Sequence, residues 1–153
     1  MNKFYVLVGS NIKPQINIEK GIDLIHKSKI IEIESMSKEY HSDPVGMDGN
    51  SFINMVLKCK TKSSFRETLS ELKKIELHCG STRDPNNKFT PRTLDLDIID
   101  WNSEEAIIEG YQMPDPDIKK HDFIKIPYSE IIDYFFLFVL SKILSADFAT
   151  KPW

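Results

Sequence analysis

The sequence predicts an α+β fold, a mainly antiparallel sheet with helices packed on its faces. Three observations carry that expectation. Short apolar or alternating runs that read as strands are interspersed with amphipathic helical patterns. They lack the regular strand–helix alternation of a parallel sheet. The chain has 153 residues, 41% hydrophobic and 28% charged, which suits one domain, residues 1–153, with a core that needs no staples.

Each element has its own reason. Phe4 to Val8 is a continuous apolar run, like a strand buried on both faces, and Gly9-Ser10-Asn11 follows as a turn. Pro14 opens a helix with Ile18, Ile22 and Ile25 at helical spacing. Ile30 to Ser35 alternates as a half-exposed strand. His41 to Asn50 is a loop rich in Pro, Gly and Asp, and Phe52 to Thr61 is another strand. Ser64 and Glu67 form a capping-box pair ahead of the clearest helix. Phe65, Leu69, Leu72, Ile75 and Cys79 share one face of it, and Gly80 supplies its end. Residues 81–91 read as a polar loop and Thr93 to Asp100 as a strand. Residues 114–127 read as turns around the apolar stretch Phe123–Ile126, and Leu137 to Leu144 as a last helix.

Composition narrows the function. The formal net charge is -3 and the isoelectric point about 5.8, which argues against gripping nucleic acid through bulk positive charge. Cys59 and Cys79 stand in no zinc-type spacing, so two free, buried thiols and a reducing compartment are expected. The first residues lack the length and cleavage site of a signal peptide. The apolar stretch Phe135–Leu140 falls short of the roughly 20 residues that span a bilayer, and reads as a buried strand or helix segment. The expectation is a cytoplasmic protein.

The most informative segment is Pro91-Arg92-Thr93-Leu94-Asp95-Leu96-Asp97-Ile98. On a strand Thr93, Asp95 and Asp97 point one way, and Leu94, Leu96 and Ile98 point into the core. The two carboxylates then stand with Cβ atoms roughly 6.5–7 Å apart. Such a pair is unfavourable unless neutralised, and hard oxygen donors suit Mg²⁺. Arg92 offers a planar fork for phosphate. Two exposed aspartates on a solvent face would read the same on spacing alone, but the preceding Pro-Arg-Thr makes the segment specific.

Three further stretches are weaker by themselves. Val8-Gly9-Ser10-Asn11 ends a strand in a Gly turn, and the chain has no GxxxxGK[ST] phosphate loop. Ser42-Asp43-Pro44-Val45-Gly46 leads toward Phe52-Ile53-Asn54, where an inward Asn could read an amide edge. Pro114 is followed by Phe123, an aromatic in a loop-to-strand segment.

Taken in order and spacing, these stretches resemble the 6-hydroxymethyl-7,8-dihydropterin pyrophosphokinases of folate synthesis. Glu76 with Gly80, and Phe123 with Pro127, extend the match over Phe4 to about Ile131. The resemblance implies a ferredoxin-like arrangement and transfer of pyrophosphate from ATP to the pterin hydroxymethyl group, releasing AMP. It implies Asp95 and Asp97 as ligands of two Mg²⁺ ions, and Arg92 as a catalytic group that also faces the nucleotide. Glu76, Arg83 and Ile98 would contact the nucleotide as well. Ser42, Pro44, Val45, Phe52, Asn54 and Phe123 would hold the pterin, with Phe123 stacked on its ring. The expected partners are small molecules, with no nucleic acid and no membrane, and the expected state is a monomer.

The chain departs from the family pattern where phosphate-facing cations usually stand. Ser81 replaces an Arg after the helix-ending Gly, Phe89-Thr90 replaces Trp-Gly, Asp115 replaces a His, and His121 replaces an Arg. Arg83 matches a second basic position, and Lys88, Lys119 and Lys120 could compensate. Each charge-assisted contact is worth about 1.5–3 kcal/mol. The alternative reading is therefore a diverged member with weak or changed activity, or a pterin- or nucleotide-binding protein. A ferredoxin-like RNA-binding module would need an RNP pattern, and the chain has none.

Overall fold

The structure is a computed structural model and describes residues 1–42, 51–80 and 93–132. In chain order it forms β1 (Asn2–Ser10), α1 (Pro14–Lys27), β2 (Glu32–Met36), β3 (Tyr40–Ser42) and β4 (Phe52–Thr61). There follow α2 (Phe65–His78), β5 (Asp95–Trp101), β6 (Ala106–Ile108), β7 (Tyr111–Met113), α3 (Asp117–Lys120) and α4 (Asp122–Ile131).

The main sheet has the order β2-β4-β1-β5, with β3 also pairing β4. Its pairings are all antiparallel. Helix α1 joins β1 to β2 and α2 joins β4 to β5, so two split βαβ units interlock in the ferredoxin-like manner. Strand β1 is central, which explains its unbroken apolar run: both of its faces are covered. Phe4, Val6 and Val8 face a core shared with Ile18, Ile25 and Leu72 of α1 and α2. Tyr5 and Leu7 face a second core with Val56, Ile99, Ile124 and Tyr128, where α4 packs.

Two local features set how closely the layers approach. A Cβ on Gly21 would stand 2.6 Å from Leu94 Cδ2, so only glycine lets α1 lie against the residue that leads into β5. Ser64 caps α2 by accepting the Glu67 amide at 3.2 Å, and Gly80 follows the helix at φ +80°. The expected apolar face of α2 is present, with Phe65, Leu72, Ile75 and Cys79 buried. Both cysteines are free and buried.

The structure differs from expectation in six places. Gly9 and Ser10, expected in a turn, continue β1, and the strand expected over Ile30 to Ser35 spans Glu32–Met36. His41 and Ser42, expected to open the loop to Asn50, belong to β3, held by cross-strand pairing to β4 that the local sequence does not announce; the rest of that expected loop, residues 43–50, lies outside the described residues. Strands β6 and β7 form a small hairpin. Phe123 stands in α4, not in a loop-to-strand segment. Pro114, Pro116 and Pro127 mask the helical pattern there, but burial of Ile124, Pro127 and Tyr128 against the sheet stabilises the helix. Strand β5 starts at Asp95 rather than Thr93, and its register against β1 shifts between Tyr5 and Val6. That irregularity explains why alternation stops and Ile98 to Trp101 are all buried. The expected polar loop at 81–91, the apolar stretch Phe135–Leu140 and the helix at Leu137 to Leu144 lie outside the described residues.

Asp100 is fully buried, and its carboxylate accepts the Tyr128 hydroxyl at 2.5 Å and the Ser103 amide at 2.9 Å. Burial pushes the Asp100 carboxyl above its ordinary range, against the pull of those two donors. The Tyr128 hydroxyl is pushed up as well, by burial and by the Asp100 charge. Tyr128→Phe removes a donor to a buried carboxylate and should cost about 1–3 kcal/mol. Ser64→Ala should cost about 1 kcal/mol. Urea midpoints of the two variants measure both, and the expected order is Tyr128→Phe below Ser64→Ala below the parent chain.

Candidate active site

The site grows from three strands in register. Gly9 of β1 stands opposite Asn54 of β4 and opposite Asp95 of β5, and Leu7 stands opposite Asp97. Directly opposed residues share a face, so Asp95 and Asp97 point to the side of the sheet where Leu7 and α4 lie. Leu94, Leu96 and Ile98 enter the helix-covered core. From Asp95 to Ile98 the alternation read from the sequence is how the strand is built, and Thr93 lies outside it. Ile98 is 5% exposed: its side chain belongs to that core, on the opposite face from the two aspartates.

Glu76 joins the pair from α2. It is buried, and its Oε1 accepts the Leu96 amide at 2.8 Å on the outer edge of the edge strand β5. Lys73, one turn earlier, places its ammonium 3.1 Å from Glu76 Oε1 and 3.8 Å from Asp97 Oδ1. Burial pushes the Glu76 carboxyl above the usual carboxylate range, and the Asp95 charge adds to the rise. The Leu96 amide and the Lys73 ammonium oppose it. Glu76, Asp95 and Asp97 can each offer an oxygen such that the three atoms lie within 4.8 Å of one another. A set of three carboxylates with only hard oxygen donors is the chemistry that a divalent cation such as Mg²⁺ takes.

On the other flank, Asn54 is 4% exposed and its Nδ2 donates to Ser42 Oγ at 2.8 Å. A Cβ on Gly9 would meet Asn54 Oδ1 at 3.0 Å and Phe52 Cδ1 at 3.9 Å. The glycine therefore leaves a bare patch of backbone beside an amide and an aromatic edge. Ser42 and Phe123 line one cleft of about 420 Å³ together with Tyr40, His41, Lys120 and His121. His121 stacks on Phe123 with ring centroids 4.9 Å apart and planes at 20°. Helix α4 is tied across the cleft to the segment at β3: Glu130 accepts the Tyr40 hydroxyl at 2.5 Å and the Lys38 amide at 3.0 Å.

The structure thus brings Asp95, Asp97 and Glu76 together, and separately Ser42, Phe52, Asn54 and Phe123. Pro44, Val45, Arg83 and Arg92 lie outside the described residues. Two departures from the family pattern have local uses. Asp115 Oδ1 accepts the Asp117 amide at 2.9 Å as α3 begins, and its own amide donates to Ile99. His121 covers one face of the Phe123 ring. Sequence reasoning missed Lys73 and Glu130. Lys73 carried a signal, a cation three residues before Glu76 on a helix. Glu130 carried none, since its partners are about ninety residues away.

A model of the 7,8-dihydro-6-hydroxymethylpterin-pyrophosphokinase family matches residues 5–133. The chain is 32% identical over 132 residues to the 2-amino-4-hydroxy-6-hydroxymethyldihydropteridine pyrophosphokinase of Bacillus subtilis (strain 168), covering 85% of this chain and 78% of that protein. It is 34% identical over 133 residues to the protein of the same name from Aquifex aeolicus (strain VF5), covering 86% of this chain and 81% of that protein. A carboxylate cluster beside a polar and aromatic cleft, on a ferredoxin-like sheet, accompanies a match over most of the chain, and the protein belongs to the 7,8-dihydro-6-hydroxymethylpterin-pyrophosphokinase family.

Proposed function

We propose that this chain transfers the pyrophosphoryl group of ATP to the hydroxymethyl oxygen of 6-hydroxymethyl-7,8-dihydropterin. The observation that carries the reading is the line Asp95–Gly9–Asn54 across three strands. It sets a carboxylate cluster about 10 Å, two strand spacings, from a pocket edge fit for a flat heterocycle. In the reaction an oxygen–phosphorus bond forms at the β-phosphorus and the bond to the α-phosphate bridge breaks. AMP leaves with the bridging oxygen, and the hydroxyl proton is released.

Each group has a task that its surroundings support. Phe123 and Phe52 offer aromatic faces to the ring, and Asn54 and Ser42 offer donors and acceptors to its amide edge. Gly9 gives the ring space where any side chain would stand against Asn54. Asp95 and Asp97, with Glu76 beside them, would hold Mg²⁺, two ions in our reading. When bound, the metal supplies charge stabilisation to the phosphates. The protein's own part is positioning, since little covalent chemistry is asked of it. Arg92 directly precedes the described strand segment in sequence, and its fork suits a phosphate. We assign it to the transferred group.

Asp95→Ala and Asp97→Ala should each lower AMP formation from ATP and the pterin, with Mg²⁺ present, by about 10²–10³-fold, the usual cost of removing one electrostatic contact from a reacting centre. Turnover that survives in both variants would sink the assignment. Phe123→Ala should weaken pterin binding by roughly 3–10-fold, the equivalent of an aromatic contact. It should leave nucleotide binding unchanged. Calorimetric titration of each substrate separates the two effects.

A further inference from the structure

We propose that Lys73 is a positioning cation that competes with the metal for Glu76 and Asp97, so that the site favours a metal–nucleotide complex over the free ion. The inference rests on the metal assignment made above and deepens it.

The argument is electrostatic and geometric. The Lys73 ammonium lies 3.1 Å from Glu76 Oε1 and 3.8 Å from Asp97 Oδ1, on two of the three carboxylates able to converge within 4.8 Å. A divalent cation ligated by those carboxylates would stand a few ångströms from a positive ammonium. At that range two cations repel appreciably at any effective dielectric below that of water. Glu76 is anchored, because it is buried and accepts the Leu96 amide. Lys73 is free to yield: its side chain is 31% exposed and sits on a flexible stem. Metal entry must therefore turn the ammonium out of the cluster.

A free ion bears the whole of that cost. An ion arriving on a triphosphate brings several negative charges with it, which offset the repulsion and offer the displaced ammonium a new partner. Linkage then requires that nucleotide and metal each raise the other's affinity. Until the ion arrives, Lys73 keeps Glu76 and Asp97 aimed at one point and offsets the mutual repulsion of the carboxylates.

The test is Mn²⁺ binding, followed by the electron-paramagnetic signal of the free ion. It is measured for the parent chain, Lys73→Met, Lys73→Arg and Asp97→Asn, with and without a non-hydrolysable ATP analogue. Lys73→Met should bind Mn²⁺ alone roughly 3–10-fold more tightly, as expected for loss of a partly exposed competing charge. Lys73→Arg, which keeps the charge, should behave as the parent. With the analogue present, the gap between parent and Lys73→Met should fall below about twofold. Unchanged or weaker Mn²⁺ binding by Lys73→Met overturns the proposal, as does a gap that persists with the analogue. A parent chain that binds no Mn²⁺ even with nucleotide, or whose binding Asp97→Asn does not disturb, overturns the metal assignment itself and this inference with it.

Discussion

The hydrogen bond from the Leu96 amide to Glu76 is the contact on which the site depends. It lies where an edge strand would otherwise leave a backbone donor without a protein partner, and it ties α2 to β5. One buried carboxylate thereby serves two ends. It satisfies the strand edge, and it comes to rest beside Asp95 and Asp97. Burying a third acid next to two others is unfavourable, as the raised Glu76 carboxyl reflects. Such a cluster persists because the Leu96 amide and the Lys73 ammonium oppose that cost.

The second half of the site depends on how α4 is fixed. Ile124, Pro127 and Tyr128 bury one side of the helix. Tyr128 bonds to Asp100 of β5, and its ring meets Tyr5 of β1 edge to face with centroids 5.1 Å apart. Glu130 bonds to Lys38 and Tyr40. Three strands of the sheet are thus joined to the helix that carries Phe123. The aspartates and the aromatic platform share strand β5 as a common support, through Asp95 and Asp97 at one end and Asp100 near the other. A rigid two-sided frame of this kind is what positioning without covalent chemistry requires.

Family membership and the departures from the family pattern are compatible in this arrangement. Asp115 accepts the Asp117 amide at the start of α3, and His121 lines the cleft and stacks on Phe123, so both side chains have local structural partners. Lys73 lies against the Glu76 and Asp97 carboxylates, a cation whose place relative to Asp97 emerges only when α2 and β5 are side by side.

What the sequence by itself determined is what short-range pattern encodes. The alternation of Asp95-Leu96-Asp97-Ile98 settled which side chains face the core, because a strand has a period of two. The apolar run of β1 announced a strand buried on both faces, and Ser64 with Glu67 announced the start of α2, because caps and runs are local. The order of the motifs was enough to recognise the family. Tertiary structure alone decided the rest. The strand register set Asp95, Gly9 and Asn54 in one line. The packing of α2 against an edge strand brought Glu76 and Lys73 to Asp97. The burial of Tyr128 made a helix of a proline-studded stretch and set Phe123 facing Ser42. These are contacts between residues far apart in the chain, and no local periodicity carries their geometry.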